Sequence, residues 1–402
     1  MSFREILSTP GVKPVLFTLF MTSFGFGVIL PILPFYTLSM GAKPYELGML
    51  TATFALTSLI FSPLMGKLSD RWGRKRTLLL GTVGFVASYL LFAFSDSLAM
   101  AFFARAIEGV AASAIFPSCV SLLSDFTDEK RRGRAMALVG MSFSLGFILG
   151  PAFGGFAAAI SVKDAFLLSA GLAGLNFVSV MFQLREPHEK PESRGIVAQE
   201  ISLVEHLSSP ILFLFLGSFM TSFMIGGLDA TLAIYTGDVM GFTSAEVGII
   251  FTYIGFLILI MQSQSGRILD RFGEMKMIPA GLALSGFGFS LLTFAHDWPS
   301  IFGALGVFVA GNALVMPAVN SLITKRVQGK RGAVLGLASS FNSLGQMIGP
   351  LLGGFLYGIQ HDLAFIGLAL VVWAYAIIFA MVAARKLAPG DGARAGQAAG
   401  AG

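Results

Sequence analysis

Three charged residues lie inside long apolar segments, and their types could carry proton chemistry. Arg105 and Glu108 are three positions apart in one segment, and Asp229 lies in another. A charge within bilayer hydrocarbon costs at least about 2.5 kcal/mol on insertion scales, so a charge kept there indicates a function. Burial favours the neutral form of a carboxyl group and a neighbouring guanidinium favours the charged form. Glu108 and Asp229 are therefore candidates for groups that take up and release a proton, with Arg105 as their modulator.

Each acid also has a purely structural interpretation. Arg105 and Glu108, at i and i+3 on a helix, share one helix face and could form a permanent ion pair. Asp229 could be a capped or hydrated acid near the outer end of its helix. The sequence leaves both alternatives open.

The elements that must position these charges are membrane-spanning helices. Of the 402 residues, 55% are hydrophobic and 12% charged, and the mean hydropathy is +0.79, far from the range of soluble domains. At about 20 apolar residues per span, the sequence predicts an all-α integral membrane protein with twelve transmembrane helices. The predicted spans are 14–36, 45–65, 77–95, 98–121, 134–158, 165–184, 210–236, 245–265, 277–295, 299–321, 332–357 and 364–384.

The spans divide into two halves of six that resemble each other at an offset of about 200 residues; Pro117, for example, returns as Pro317. Parallel repeats of this kind place a binding cavity at their interface near the membrane midplane. The predicted organisation is an N-terminal bundle at 1–184, a cytoplasmic linker at 185–209, a C-terminal bundle at 210–386 and a disordered Gly/Ala-rich tail at 387–402.

Basic residues predict the orientation, because cytoplasmic loops retain Lys and Arg. With the N-terminus inside, all but three of the 27 Lys and Arg lie on the cytoplasmic side; Lys43 and Lys163 lie outside and Arg105 lies within a span. We therefore expect a multi-pass protein of the plasma membrane with both termini cytoplasmic.

Two further motifs are repeated. The stretch 66–76, GKLSDRWGRKR, returns at 266–276 as GRILDRFGEMK, and each copy is predicted to be a short polar loop between two spans. The second motif, at 146–155, has glycines four residues apart followed by Pro151, and it returns at 345–354. Such glycines form a bare stripe that admits a neighbouring helix, and the proline favours a kink.

These motifs resemble those of the major facilitator superfamily, over essentially residues 10–386. The 66–76 stretch resembles the superfamily's loop between helices 2 and 3, and Arg105-x-x-Glu108-Gly109 resembles the helix 4 signature of proton-coupled members. The 146–155 stretch resembles the helix 5 signature of antiporters. The resemblance is thus to the twelve-helix drug:proton antiporter branch. One departure is that the first span lacks the acid that some relatives use for coupling.

The resemblance implies the major facilitator fold of two pseudo-symmetric six-helix bundles. It also implies export of hydrophobic or amphipathic compounds, which we expect to be cationic, in exchange for protons by alternating access. A dedicated exporter of a lipid, sugar or other metabolite is the alternative within transport. An intramembrane enzyme or receptor is disfavoured, because no span holds a histidine or a metal-ligand cluster and no P-loop pattern occurs. We expect no enzyme activity, cofactor, metal or nucleic-acid partner, and a monomer that binds a small-molecule substrate, protons and lipid.

The resemblance also assigns roles to the motifs. In relatives the loop aspartate caps the eleventh helix when the cavity faces outward, and here Arg74 is expected to bridge to Asp125. The predicted conformational latch comprises Gly66, Asp70, Arg71, Gly73, Arg74 and Asp125. Its alternative is that the basic residues only set topology. The predicted seal between the halves is the antiporter motif, comprising Gly146, Gly150, Pro151, Gly154 and Gly155.

Neutral polar residues supply the candidate substrate contacts. Asn312 lies one turn beyond the position equivalent to Glu108 and is expected to face the central cavity; the other candidates are Asn342, Gln346 and Tyr253. With 39 Phe and 18 Met in the chain, the surrounding pocket is expected to be apolar and adaptable.

Overall fold

The computed structural model describes residues 6–7, 9–186, 211–326 and 331–383. Within these ranges the regular structure is helical. The α-helices are α1 Val12–Ile29, α2 Leu33–Ser39, α3 Pro44–Trp72, α4 Arg74–Ala93, α5 Leu98–Asp125, α6 Glu129–Ile160, α7 Val162–Gln183, α8 Leu212–Met240, α9 Ser244–Phe272, α10 Glu274–Leu291, α11 Trp298–Arg326, α12 Arg331–Ile359 and α13 His361–Ile378. A 3-10 turn at Leu292–Phe294 and a π-helical end at Phe379–Ala383 complete them. Most of the predicted linker and the whole predicted tail lie outside the described residues.

The helix lengths agree with the predicted all-α membrane fold. Twelve of the helices have at least 18 residues, and eleven described segments are long and apolar enough to cross a membrane by length and composition. The remaining long helix, α12, is long enough but not apolar enough, because Asn342, Gln346 and several serines interrupt its apolar residues. Polar residues in a spanning helix tend to face the bundle interior.

The first predicted span is two helices in the structure, so its prediction as one helix was wrong. α1 ends at Ile29 and α2 begins at Leu33, with Pro31 and Pro34 around the break. Proline removes a backbone donor and disfavours a helical residue before it. In α2 the proline is in the first turn, where the missing N–H leaves no bond unmade.

The predicted loop at 66–76 is also mostly helical. α3 continues to Trp72 and α4 begins at Arg74, so Gly73 alone joins them. Its φ of 113° lies in the region that side chains disfavour, and the repeat-equivalent Gly273 has a φ of 79°. Asp70 therefore lies in the last turn of α3 and not in a loop.

The two halves, α1–α7 and α8–α13, touch at one end of the molecule, which we call the Lys43 end; the opposite end is the Asp70 end. Gly48 of α3 packs against Pro350 of α12, while Gly66, five turns along the same face, has no neighbour within 4 Å of the place of a Cβ. On α9, Gly255 packs against α6, whereas Gly266, three turns further, has none within 4 Å. The halves are thus closed at the Lys43 end and diverge toward the Asp70 end.

Candidate functional site

Arg105 and Glu108 form a buried ion pair on α5. Nη1 of Arg105 donates to Oε2 of Glu108 at 2.6 Å, and the two residues are 1% and 0% exposed. Oε1 of Glu108 and Nε of Arg105 have no hydrogen-bond partner among the described residues. Leaving buried polar atoms without hydrogen bonds costs free energy, so the architecture gains little from this pair and a functional reason for keeping it is favoured.

Aromatic rings cover the guanidinium of Arg105. Its Cζ atom lies 4.8 Å from the centroid of the Phe54 ring and 5.6 Å from that of Phe26. The Phe26 ring in turn lies 5.4 Å from Phe54 and 6.5 Å from Phe147, centroid to centroid. The faces of aromatic rings attract a cation, so these contacts hold the charge of Arg105 in an apolar site.

A cavity between the halves, the Arg105 cavity, brings Arg105 and Asp229 together. Its empty volume is about 510 Å³, counting space open to solvent. It is lined by Phe26, Ile29, Leu30, Leu33, Pro34, Leu47, Thr51, Phe54, Ala55, Arg105, Gly226, Asp229 and Gln346. Asp229 on α8 interacts electrostatically with Arg105 across it. Glu108 is not among the lining residues of this cavity and is fully buried within the N-terminal half.

Asp229 also lines a second cavity, the Asp229 cavity, whose empty volume is about 380 Å³ by the same measure. The lining residues are Phe147, Ile225, Leu228, Asp229, Phe251, Ile254, Ile258, Phe308, Val309, Asn312 and Ala313. One carboxylate and one amide therefore stand in a wall of aromatic and aliphatic side chains. The amide of Asn312 is fixed, because its Nδ2 donates to the Thr221 carbonyl oxygen at 3.2 Å.

The two cavities use equivalent positions of the repeat. At the 200-residue offset, Ile29 corresponds to Asp229, Thr51 to Phe251 and Phe54 to Ile254. One member of each pair lines the Arg105 cavity and the other lines the Asp229 cavity. The duplicated fold thus supplies two related walls, and the charges differ between them.

The structure separates the four predicted substrate contacts. Asn312 lines the Asp229 cavity and Gln346 lines the Arg105 cavity. Asn342 and Tyr253 line neither. Nδ2 of Asn342 lies 3.9 Å from the Met316 sulfur, and the Tyr253 hydroxyl donates to the Phe302 carbonyl oxygen at 3.1 Å.

Sequence reasoning missed the individual aromatic residues of both walls: Phe26, Phe54, Phe147, Phe251 and Phe308. A phenylalanine in a span usually faces lipid or core, so composition alone does not select these. The repeat offset was an available signal, because Phe308 stands at the position of Glu108.

Part of the predicted latch forms a cluster within the N-terminal half. Arg74 makes an ion pair with Asp125, and its Nη1 donates to the Ser121 carbonyl oxygen at 2.9 Å. Glu186, which sequence reasoning missed, accepts from the backbone N–H groups of Arg74 at 2.6 Å and Lys75 at 3.1 Å. This carboxylate occupies the N-terminus of α4, where the helix dipole favours a negative charge.

Asp70 acts electrostatically on Arg74 of that cluster. It is exposed in the last turn of α3, with Arg71 exposed beside it, at the end where the halves diverge. Residues 327–330, which precede α12, lie outside the described part of the chain. Because α1 and α2 together form the first span, α12 is the eleventh spanning helix. The expected cap of α12 by Asp70 therefore stays a prediction.

The glycines of the antiporter motif lie mainly inside one half. Gly146, Gly150 and Gly154 of α6 pack against the backbone of α1, and a Cβ on Gly150 would stand 3.0 Å from the Cα of Gly27. Other residues of the motif reach the second half: Gly155 and Pro151 contact the start of α9, and Phe147 and Ile148 pack against Gly255 further along it. The three-glycine stripe thus joins α6 to α1, Pro151 and Gly155 contact the other half, and the predicted sealing role stays a prediction.

Comparison with known proteins places the chain in a family. The family model described as Major Facilitator Superfamily matches residues 15–268 and 214–400. Multidrug resistance protein 1 of Bacillus subtilis (strain 168) is 30% identical over 370 residues, covering 89% of this chain and 94% of that protein. Tetracycline resistance protein, class B, of Escherichia coli is 31% identical over 355 residues, covering 85% and 87%.

A solved structure shares the fold. The nucleoside transporter NupG superposes with a TM-score of 0.76 at 13% identity, covering 93% of this chain and 98% of that one. The predicted family, fold class and absence of an enzyme function are confirmed by these likenesses. The chain therefore belongs to the major facilitator superfamily and is a multi-pass membrane transporter.

Proposed function

We propose that the protein exports hydrophobic or amphipathic cations across the plasma membrane in exchange for protons. The observation that carries this proposal is the place of Asp229, a carboxylate in the largely apolar walls of two cavities, one between the halves and one mainly within the C-terminal half. A low dielectric strengthens its attraction for a cation, and the neighbouring phenylalanine rings add to it. The two relatives named for drug resistance support a drug-like substrate.

Coupling follows from competition for one carboxylate. Asp229 holds either a cation or a proton, and a proton taken up on one side displaces the cation there. Arg105 tunes this choice, because it interacts with Asp229 across the cavity while it is paired with Glu108. In this proposal Glu108 sets how much of the Arg105 charge Asp229 experiences.

Alternating access uses the contacts between small residues at the Lys43 end. Gly48 against Pro350, and Gly248 against Pro151, would part when the molecule opens there. With the predicted orientation, the present structure opens toward the cytoplasm, where an exported compound enters. In the opposite state Asp70 would approach the start of α12 and stabilise closure of the Asp70 end by its charge.

A sugar exporter fits the cavities poorly. Sugars require many hydrogen-bonding side chains, whereas the polar residues are Asp229 and Asn312 in the wall of the Asp229 cavity and Thr51, Arg105, Asp229 and Gln346 in that of the Arg105 cavity, each among more numerous apolar side chains. A lipid exporter and a multidrug exporter differ in whether lipids or cationic dyes drive proton flux.

The test is substrate-dependent proton flux in proteoliposomes with an imposed pH gradient, using cationic dyes, uncharged analogues of those dyes, lipids and sugars. We expect several cationic dyes to drive proton flux, and Asp229→Asn to abolish accumulation against a gradient. Asp238→Asn is the matched control, because Asp238 lies on the same helix but bonds to Tyr357 at 3.0 Å away from both cavities. Proton flux with lipids or sugars alone, or undiminished dye accumulation by Asp229→Asn, would refute the proposal.

A further inference from the structure

Glu108 has a second polar neighbour, on α4. The Tyr89 hydroxyl and Oε1 of Glu108 are both fully buried, and neither has a hydrogen-bond partner in the described residues. The two side chains interact electrostatically, and Arg105 acts on Tyr89 as well. Two buried polar groups that act on each other and have no hydrogen-bond partner are the setting in which an ordered water is held in an apolar bundle.

Tyr89 also borders a cavity of the N-terminal half, the N-half cavity, which lies between α1, α4, α5 and α7. Its lining residues are Met21, Thr22, Phe24, Gly25, Thr82, Phe85, Tyr89, Ile115, Ser169, Leu172, Ala173 and Asn176. It has room for about one ordered water. The hydroxyls of Thr82 and Ser169 donate to carbonyl oxygens of their own helices at 2.8 and 2.9 Å, which leaves their oxygen lone pairs available to a water.

These polar residues step toward the Asp70 end. Tyr89 lies near the end of α4 that is closer to Lys43, whereas Thr82 is two turns nearer the Asp70 end of the same helix. Asn176 lies in the half of α7 that is closer to the Asp70 end, and the Thr18 hydroxyl donates to its Oδ1 at 3.0 Å. From Asn176 about 10 Å of helix remain before α7 ends at Gln183.

The other half shows that the fold does not need this polarity. The repeat equivalents of Tyr89 and Glu108 are Phe289 and Phe308, whose ring centroids lie 5.7 Å apart. Thr82 and Ser169 likewise correspond to Leu282 and Leu368, and all four equivalents are buried. The same helix packing is therefore filled by apolar side chains in the C-terminal half.

We propose that the N-half cavity binds water and that Tyr89 joins this water to Glu108. Protons then leave Glu108 toward the Asp70 end through the interior of the N-terminal half, apart from the cavities that hold the substrate. This inference rests on the proposed proton exchange and adds a route to it. Tyr89 acts as a positioning and relay residue for the acid.

The transfer balances without any other reactant. The carboxyl proton of Glu108 passes to the water beside it, which gives one of its protons to the Tyr89 oxygen while the Tyr89 proton moves to the water in the N-half cavity. Tyr89 and both waters end neutral once the proton leaves to bulk water at the Asp70 end.

The groups that face Glu108 are Arg105 on its own helix and Tyr89 on α4, with Asp229 acting through Arg105. The carboxylate left behind neutralises Arg105, so Asp229 is freed from that cation and can bind the substrate.

The experiment compares Tyr89→Phe with the wild type in proteoliposomes. A phenylalanine fits because its repeat equivalent is Phe289. We expect substrate-driven proton flux to fall at least about tenfold, as when a proton-transfer group is lost, while the dissociation constant of a cationic dye changes less than about twofold. Tyr235→Phe is the control, because Tyr235 is a buried tyrosine whose hydroxyl donates to Ala295 at 3.1 Å in the other half; it should keep wild-type flux.

A second readout follows Glu108 itself. Infrared difference spectra should show slower hydrogen–deuterium exchange of the Glu108 carboxyl band in Tyr89→Phe than in the wild type. Thr82→Val is the second variant should Tyr89→Phe fail to fold, and it should slow both flux and exchange. A wild type that exports dye without proton flux would refute the proposed function. A coupled wild type with unchanged flux and exchange in the variants would refute the route alone.

Discussion

At the scale of single residues, Arg105 is the link between the two acids. Its guanidinium pairs with Glu108, packs on two phenylalanine rings and acts on Asp229 across the cavity. Removing one member of a buried ion pair costs about 3–5 kcal/mol, because an uncompensated charge is left behind, whereas replacing both members by apolar residues is often neutral. The repeat equivalents Leu305 and Phe308 show that apolar side chains fit these positions.

We therefore expect Arg105→Leu to be strongly destabilised, by about 3–5 kcal/mol, and Arg105→Leu/Glu108→Leu to recover most of that stability. Both variants should lose proton-coupled export, since neither retains the pair. Thermal unfolding in detergent and dye flux in proteoliposomes measure the two effects. A double variant as unstable as the single one would mean that the pair is needed for folding and is not retained for function.

The sequence predicts the charged residues of the site better than its walls. A charge in an apolar span is rare enough to stand out by itself, and the spacing of Arg105 and Glu108 already places them on one helix face. Phe147 and Phe251 do not stand out among 39 phenylalanines, because only the packing of α6 against α9 decides which rings face a cavity. Tyr89 was missed for the same reason, as its partner Glu108 lies on a different helix.

At the scale of elements, the sequence predicts twelve spans and their duplication, but misplaces the breaks between them. Hydropathy marks where the apolar residues end, whereas α3 continues to Trp72, seven residues past its predicted span, and α6 begins at Glu129, five residues before its own. Backbone conformation ends them, and Gly73 is the residue whose φ of 113° turns the chain between α3 and α4. The break between α1 and α2 arises from prolines that hydropathy counts as apolar.

Gly73 and Gly66 both belong to the predicted latch, but we expect alanine to have opposite effects on stability at the two positions. Gly73→Ala should destabilise by about 1–2 kcal/mol, because an L residue disfavours that φ and its Cβ would stand 2.9 Å from Glu186. Gly66→Ala should be neutral or stabilise by up to about 1 kcal/mol, because Gly66 is helical with open space around it. Thermal unfolding of both variants checks this; equal destabilisation would indicate that Gly66 has a packing role absent from this state.

At the scale of the whole molecule, the structure shows one of the two states that alternating access requires. Close contacts at the Lys43 end come from α3 against α12 and from α6 against α9, and the halves diverge toward Asp70. The sequence predicts the two halves and the place of their interface, because duplication dictates both. It does not predict which end is closed, because that choice depends on a small free-energy difference between two packings of the same helices.

Asp70 is proposed to change the free-energy difference between the two states. It is exposed in the present state and would meet the positive end of α12 in the state that is closed at the Asp70 end. Asp70→Asn keeps the shape and removes the charge, so we expect the population to shift toward the present state by about two- to fivefold, the effect of one exposed charge at a helix end. Spin labels at the repeat-equivalent positions Arg76 and Lys276, both exposed at the Asp70 end, report the state as a distance. Asp270→Asn is the matched control in the other half and should leave the distance distribution closer to that of the wild type. An unchanged distribution in Asp70→Asn, together with normal transport, would leave Asp70 as a residue that only helps to set topology.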